Sequence, residues 1–284
     1  MISSQFAIAR FRRDMTLGTL LNAMLLAGVF ISFVLGGVSN SRFGDVLLLL
    51  GLGAVWVTLG YQSMKGSRLA AGSPQLIAAG QFDQAEHQIE QALKTFSLFR
   101  SSKLLSLHHL AVLRHAQKRW TDAAQLCSAL LRQRLGALKG LSRQSRLILA
   151  ESLLELGDLR GAHAAILALY SERLSLAEAT KLLAVQLDYL ARVNAWEAML
   201  AGLESKVELS ELMNASSSAR SQALLALAAK KAGKGDWVDY LRRRAELLAD
   251  ASELASARPM LAELWPASSS VQPPANLGGI SHSE

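Results

Sequence analysis

His108 and His115 stand seven residues apart, close to two turns of an α-helix, so their rings would project from one face while His109 points away. Two imidazoles so placed could ligate a metal if a carboxylate or thiol joined them at matching spacing, and none does, so no metal site is expected. Glu151 and Glu155, four apart, form a formal carboxylate pair. Nothing in the sequence supplies a nucleophile, phosphate cradle or base to work with them, so they read as a solvated face. "KAGKGD" at 231–236 is rich in glycine and lysine but lacks the preceding strand and the GKS or GKT ending of a phosphate-binding loop, and reads better as a turn between helices. The single cysteine, Cys127, has no internal disulfide partner and is assigned to packing. These residues predict a non-enzymatic protein without catalytic residues or cofactor.

The elements that carry them begin with an apolar excess, since the apolar fraction is 51% and the mean hydropathy +0.22. Residues 16–38 run 23 positions without a charge, and residues 46–64 another 19. Each has a membrane-spanning length at a helical rise of about 1.5 Å per residue. The short stretch between them predicts a tight turn and an antiparallel hairpin. Arg10, Arg12 and Arg13 precede the first span and Lys65 and Arg68 follow the second, whereas Arg42 is alone in the turn, so both termini are expected in the cytoplasm. A cleaved secretory leader is the rival reading, but its apolar region would exceed the usual length of about 7–15 residues. In a cytoplasmic domain the "NAS" sequon at Asn214 carries no meaning.

Beyond Pro74 no proline occurs until Pro259, and the intervening segment is rich in Leu, Ala, Glu, Gln, Arg and Lys, which predicts helix almost throughout. Aligned on itself it yields five turn-plus-helix units, starting at Gly80, Lys118, Gly157, Asn194 and Gly235. The bulky residue two places on is Phe82, Trp120, Leu159, Trp196 and Trp237, giving spacings of 38, 39, 37 and 41. Gly or Asn at the turn permits the left-handed backbone that ends a first helix, and Ala85, Ala123 or Ala162 lets the pair approach closely.

These residues give the segment a resemblance to tetratricopeptide-repeat arrays. The turn glycine, aromatic, alanine and later apolar pair of that family match Gly80, Phe82, Ala85, Ile89 and Ala92 in the first unit. In the third they match Gly157, Leu159, Ala162, Ile166 and Leu169, with Leu149 and Ala150 as the leucine-small pair of the first helix. The second matches through Leu110, Ala111, Trp120, Ala123, Cys127 and Leu130, although Lys118 replaces the glycine. No unit carries the proline that normally closes such a repeat, the period is a few residues long, and Met199 and Tyr240 stand where alanine belongs. The resemblance covers roughly residues 75–250 and implies an all-α protein, a transmembrane hairpin followed by a right-handed solenoid of about five helix pairs. The layout is similar, in architecture only, to the HemY-like bacterial membrane proteins, which implies a bacterial cytoplasmic membrane and carries over no activity. The expected divisions are a basic cytoplasmic N-terminus (1–15), the hairpin (16–64), a linker (65–74), the array (75–265) and a disordered tail (266–284).

Net charge +7 is unevenly spread. Residues 94–146 hold eleven basic residues against Asp122 alone, while from 147 onward 13 basic face 17 acidic. Lys94, Arg100, Lys103, Arg132, Arg134, Lys139, Arg143 and Arg146 fall near the expected connections between repeats. They would form an edge that meets solvent, anionic headgroups or an acidic protein. Nucleic acid is disfavoured, because aromatics are not interleaved among the cations. By the family's spacing, the concave face that receives a protein partner would present His108, Val112, His115, Gln144, Leu147, Glu151, Glu155, Lys181, Asp188 and Arg192. The expected function is that of a membrane-anchored scaffold or adaptor, with an auxiliary or assembly subunit of a membrane enzyme or transporter as the alternative.

Overall fold

The computed structural model describes residues 3–36, 42–97, 100–133, 135 and 138–265, and among these every regular element is helical. The expected tail, residues 266–284, lies outside the described residues. The chain divides into two compact units, residues 1–178 and 179–284.

The first unit opens with two long helices, α1 (Ser4–Gly36) and α2 (Arg42–Ala71). From residue 4 to 31, α1 is long and apolar enough to cross a membrane. Its Leu20, Met24, Leu26 and Phe30 are exposed, as are Leu50, Trp56, Val57 and Tyr61 on α2. The side chains of residues 32–36 and 42–49 are outside the described residues, and with them the start of the second expected span. The two helices touch where Gly28 leaves room for Leu52, whose Cδ1 would lie 3.3 Å from any Cβ added at residue 28.

Both helices run beyond the expected apolar spans. Residues 4–15, read as a basic N-terminus, are the first turns of α1, and residues 65–71, read as linker, are the end of α2. Ala70 is fully buried there, and its carbonyl accepts from Ser73 Oγ at 2.7 Å and lies 3.0 Å from His109 Nδ1. The helix breaks only at Gly72, one residue before α3 (Ser73–Ala78), which carries Pro74 in its first turn where a missing N–H costs nothing.

Three helix hairpins complete this unit. They are α3 with α4 (Phe82–Lys94), α5 (Arg100–Ala116) with α6 (Trp120–Leu131), and α7 (Lys139–Glu155) with α8 (Leu159–Tyr170). Each second helix buries the same three positions, Ala85, Ile89 and Ala92, then Ala123, Cys127 and Leu130, then Ala162, Ile166 and Leu169. Spacing of four and three residues places each trio on one helical face, against the partner helix. Between α4 and α5 the buried Arg114 guanidinium forms a two-pronged pair with Glu86, Nη1 to Oε2 at 3.1 Å and Nη2 to Oε1 at 2.9 Å.

The second unit begins within α9 (Leu176–Arg192) and continues through α10 (Trp196–Leu200), α11 (Leu203–Glu211), α12 (Ala215–Lys231), α13 (Gly235–Leu248) and α14 (Ala251–Ala257) to a 3-10 turn over Pro259–Leu264. A left-handed Gly202 (φ 64°) splits the fourth second helix into α10 and α11. The core of this unit is dominated by α12, on which every residue from Ala223 to Ala229 is buried, packed by Leu187, Met199, Leu241 and Leu261.

The turns inside the five hairpins are the same object repeated. Gly80, Lys118, Gly157, Asn194 and Gly233 all have φ between 56° and 79°. At each, the N–H donates three residues back and the following N–H five residues back, as in Gly80 N to Ile77 O (3.1 Å) and Gln81 N to Leu76 O (2.9 Å). That pair of bonds defines the Schellman stop, which satisfies carbonyls left over at the end of the first helix. The fifth unit is thereby corrected, since its left-handed residue is Gly233 and not Gly235. The turn spacings become 38, 39, 37 and 39. Val238, not the exposed Tyr240, then takes the position held elsewhere by alanine.

Candidate functional site

The first eleven residues of α1 form a stripe that closes on the repeats. Ser4, Ala7, Phe11 and Asp14 are buried, at intervals of three, four and three. Such spacing keeps one helical face against a partner. Ser4 Oγ lies 2.7 Å from Asp122 Oδ1 and 2.9 Å from Gln125 Oε1 on α6, and Ala7 and Phe11 join the cluster that holds Ile89, Leu107 and Leu126. Arg10 donates to the carbonyls of Leu93 (3.1 Å) and Lys94 (2.6 Å), two of the acceptors that α4 cannot satisfy internally at its C-terminal end.

The centre of the dock is a buried ion pair. Asp14 Oδ2 stands 2.8 Å from Lys103 Nζ, and the two side chains are 5% and 2% exposed. The ammonium also donates to Leu93 O at 2.7 Å and Thr95 O at 2.6 Å, so all three of its protons are engaged. Desolvation lowers the Lys103 pKa from its ordinary value, opposed by the bond to Asp14. One more turn along α1, Gly18 faces the Ser97 carbonyl, 3.8 Å from where a Cβ would be. The seam then continues through the half-buried Leu21, Leu25 and Gly28, where α2 takes over as the neighbour.

Lys103 was expected on a basic edge and is instead inside this dock. Its neighbours in that expectation are also largely engaged. Lys94 pairs with Glu90 at 2.7 Å, Arg100 donates to Gln133 at 3.1 Å, Arg143 pairs with Glu178 at 2.9 Å, and Arg146 lies 3.6 Å from Glu172. Arg132 is exposed, Arg134 lies outside the described residues, and so does the side chain of Lys139. The local charge excess is therefore partly neutralised by Glu90, one turn away, and by Glu172 and Glu178, which are distant in sequence.

The expected concave set is dispersed in the same way. In the first unit His108 is buried, with Nδ1 3.0 Å from Ser145 Oγ, and Leu147 is buried. Burial and the neighbouring His109 push the His108 pKa down to about 4, so this ring is neutral at physiological pH. Val112 is half-buried against the core; His115 packs edge-on to Trp120 with Nε2 3.0 Å from Glu151 Oε2; Glu155 is half-buried; Gln144 is exposed. In the second unit Lys181 is exposed, while Asp188 is buried, held by Arg258 at 2.9 and 3.0 Å and by Arg192 at 3.2 Å. His108, Leu147 and Asp188 are thus buried and do not present their side chains to solvent. His108 meets Ser145 on α7 and Asp188 meets Arg258 beyond α14, neighbours that a single-helix projection omits.

Cys127 is fully buried in α6, and desolvation pushes its thiol pKa up to about 12. Among the described residues no group of three or more His, Cys, Asp or Glu side chains is arranged to hold a metal. The dock was legible in principle from Ser4, Ala7, Phe11 and Asp14 at helical spacing, though the intervening arginines disguise it as a topogenic flank. No protein-family model, curated protein or solved structure matches the chain.

Proposed function

We propose that this protein is a membrane-anchored adaptor, a two-span hairpin bearing a tetratricopeptide-like solenoid on the cytoplasmic side, that holds a protein partner close to the bilayer. The carrying observation is the dock. Ser4 bonds to Asp122 and Asp14 pairs with Lys103, so the residues before the apolar stretch of α1 share one compartment with the repeats that follow α2. If α1 crosses a bilayer, the chain must return before α4, and among the described residues α2 is the one long helix between them. Exposed Leu, Val, Trp and Tyr side chains along α2 support its role as the returning span.

Arg10, through its bonds to the end of α4, ties the first repeats to α1, so that these repeats are not on a loose tether. Confinement to a layer beside the membrane raises the effective concentration towards other membrane-bound proteins even where each contact is weak. The five matched turns support the repeat reading, and repeats of helix pairs are surfaces for polypeptides.

The test combines fractionation with topology mapping. The protein should stay with membranes after alkaline carbonate extraction, and reporters fused after residue 40 and after residue 70 should report opposite sides. Release into the supernatant, or the same side for both fusions, refutes the anchored hairpin.

A further inference from the structure

In the second unit, α11 and α13 flank a cleft of about 400 Å³ edged by Glu204, Glu208, Glu211 and Asp236, with Trp237 and Tyr240 in its wall. The two rings meet nearly at right angles, 85° apart with centroids 5.8 Å from one another. Such a pair presents an electron-rich ring face beside carboxylates, the setting in which cations bind best. One cation of this chain already engages two of its lining residues. The Arg244 guanidinium sits 5.5 Å from the Tyr240 ring centroid, donates to Tyr240 Oη at 2.7 Å and pairs with Glu211 at 2.8 Å.

That arginine leaves most of the negative charge unmet. Glu204, Glu208 and Asp236 are exposed and make no ion pair with another described residue. Lys206 shares α11 with two of them, but its ammonium is turned to the carbonyls of Ala198 (2.9 Å) and Met199 (3.0 Å). Glu204, Glu208 and Glu211 follow at intervals of four and three, which sets a row of carboxylates about 10 Å long on one helical face. A row of that length matches several cations carried in series and not a single small ammonium ion.

We propose that this cleft is a docking site for a basic polypeptide segment of a partner protein, whose arginine or lysine side chains lie along the α11 carboxylates with one stacked on Trp237. Arg244 shows the geometry that a partner guanidinium would repeat one turn away. The proposal rests on the adaptor reading, since a docking site needs a partner. It stands on the second unit alone, so a failed peptide titration leaves the fractionation and topology results untouched.

The experiment uses the full chain in detergent micelles and a fluorescent octapeptide of alternating arginine and glycine, with a glutamate and glycine octapeptide as its control. Anisotropy titrations should show saturable, salt-sensitive binding of the arginine peptide only. Combining Glu204→Gln, Glu208→Gln and Asp236→Asn, all exposed, should weaken binding at least tenfold while the helical circular-dichroism signal is kept. A control triple at Glu197, Asp250 and Glu253, equally acidic and away from the cleft, should leave it within twofold. Absence of binding, equal loss from both triples, or binding of the acidic peptide overturns the proposal.

Discussion

Replacing Asp14 with asparagine should free the first turns of α1 from the repeats without unfolding them. The substitution preserves shape and strips the counter-charge from an ammonium that is 2% exposed. Leaving one member of a buried pair uncompensated costs about 3–5 kcal/mol. Against that, the dock is held by burial of Phe11, worth about 1.5–3 kcal/mol, by one Ser4 hydroxyl bond at about 0.5–1.5 kcal/mol, and by two charged Arg10 bonds at about 1.5–3 kcal/mol each. The substitution removes a large share of that total, so the segment is expected to open more often and let water reach Lys103. Hydrogen exchange should then rise at residues 4–14 and trypsin should cut after Arg10, Arg12 or Arg13, while α5 to α8 keep their protection. Adding Lys103→Met removes the stranded charge and should restore most of the protection, because a buried pair replaced by apolar groups is often neutral. Exchange at residues 4–14 that is unchanged in Asp14→Asn, or increased equally in the double variant, would refute the assignment of the pair as the latch.

Lys118 has φ 59° without being glycine, so Lys118→Gly should relieve about 1 kcal/mol of backbone strain and raise the thermal midpoint, whereas Gly157→Ala should lower it by a similar amount. His108 binds its proton near pH 4 in the folded chain and near 6.5 in the unfolded one, so between those values only the unfolded state is protonated. Stability should fall by roughly 3 kcal/mol as pH drops across that window, and chemical denaturation of His108→Gln should lack that part of the profile. Cys127 should resist a thiol-specific chromogenic reagent at pH 8 until denaturant is added; stoichiometric labelling of the native protein would contradict its burial.

Helical content and the repeat were legible because each is written locally. Gly80, Gly157 and Asn194 announce left-handed turns, and alanine three residues into the following helix marks the tight face. Lys118 shows that geometry outranks composition, since a repeat imposes its turn on a residue that does not favour it. The fifth unit misled because Trp237 mimics the plug residue two positions late, and only the backbone at Gly233 reveals the true register. What sequence could not reveal is pairing over distance. Asp14 with Lys103, Arg143 with Glu178 and Asp188 with Arg258 all convert apparent surface charge into internal structure. A run of cations counted along the chain therefore overstates the field at its surface.

The dock also has a consequence for how the chain comes into being. Ser4 finds its partners at Asp122 and Gln125, well over a hundred residues later, so its contacts must wait until the chain through α6 is synthesised. Until α4 and α5 have emerged, Phe11 and Asp14 have no cover. Ser4 is captured last, when α6 emerges, after Arg10 has met the end of α4 and Asp14 has met Lys103. The first turns of α1 thus close in stages, their C-terminal end first, as α4, α5 and α6 appear in turn.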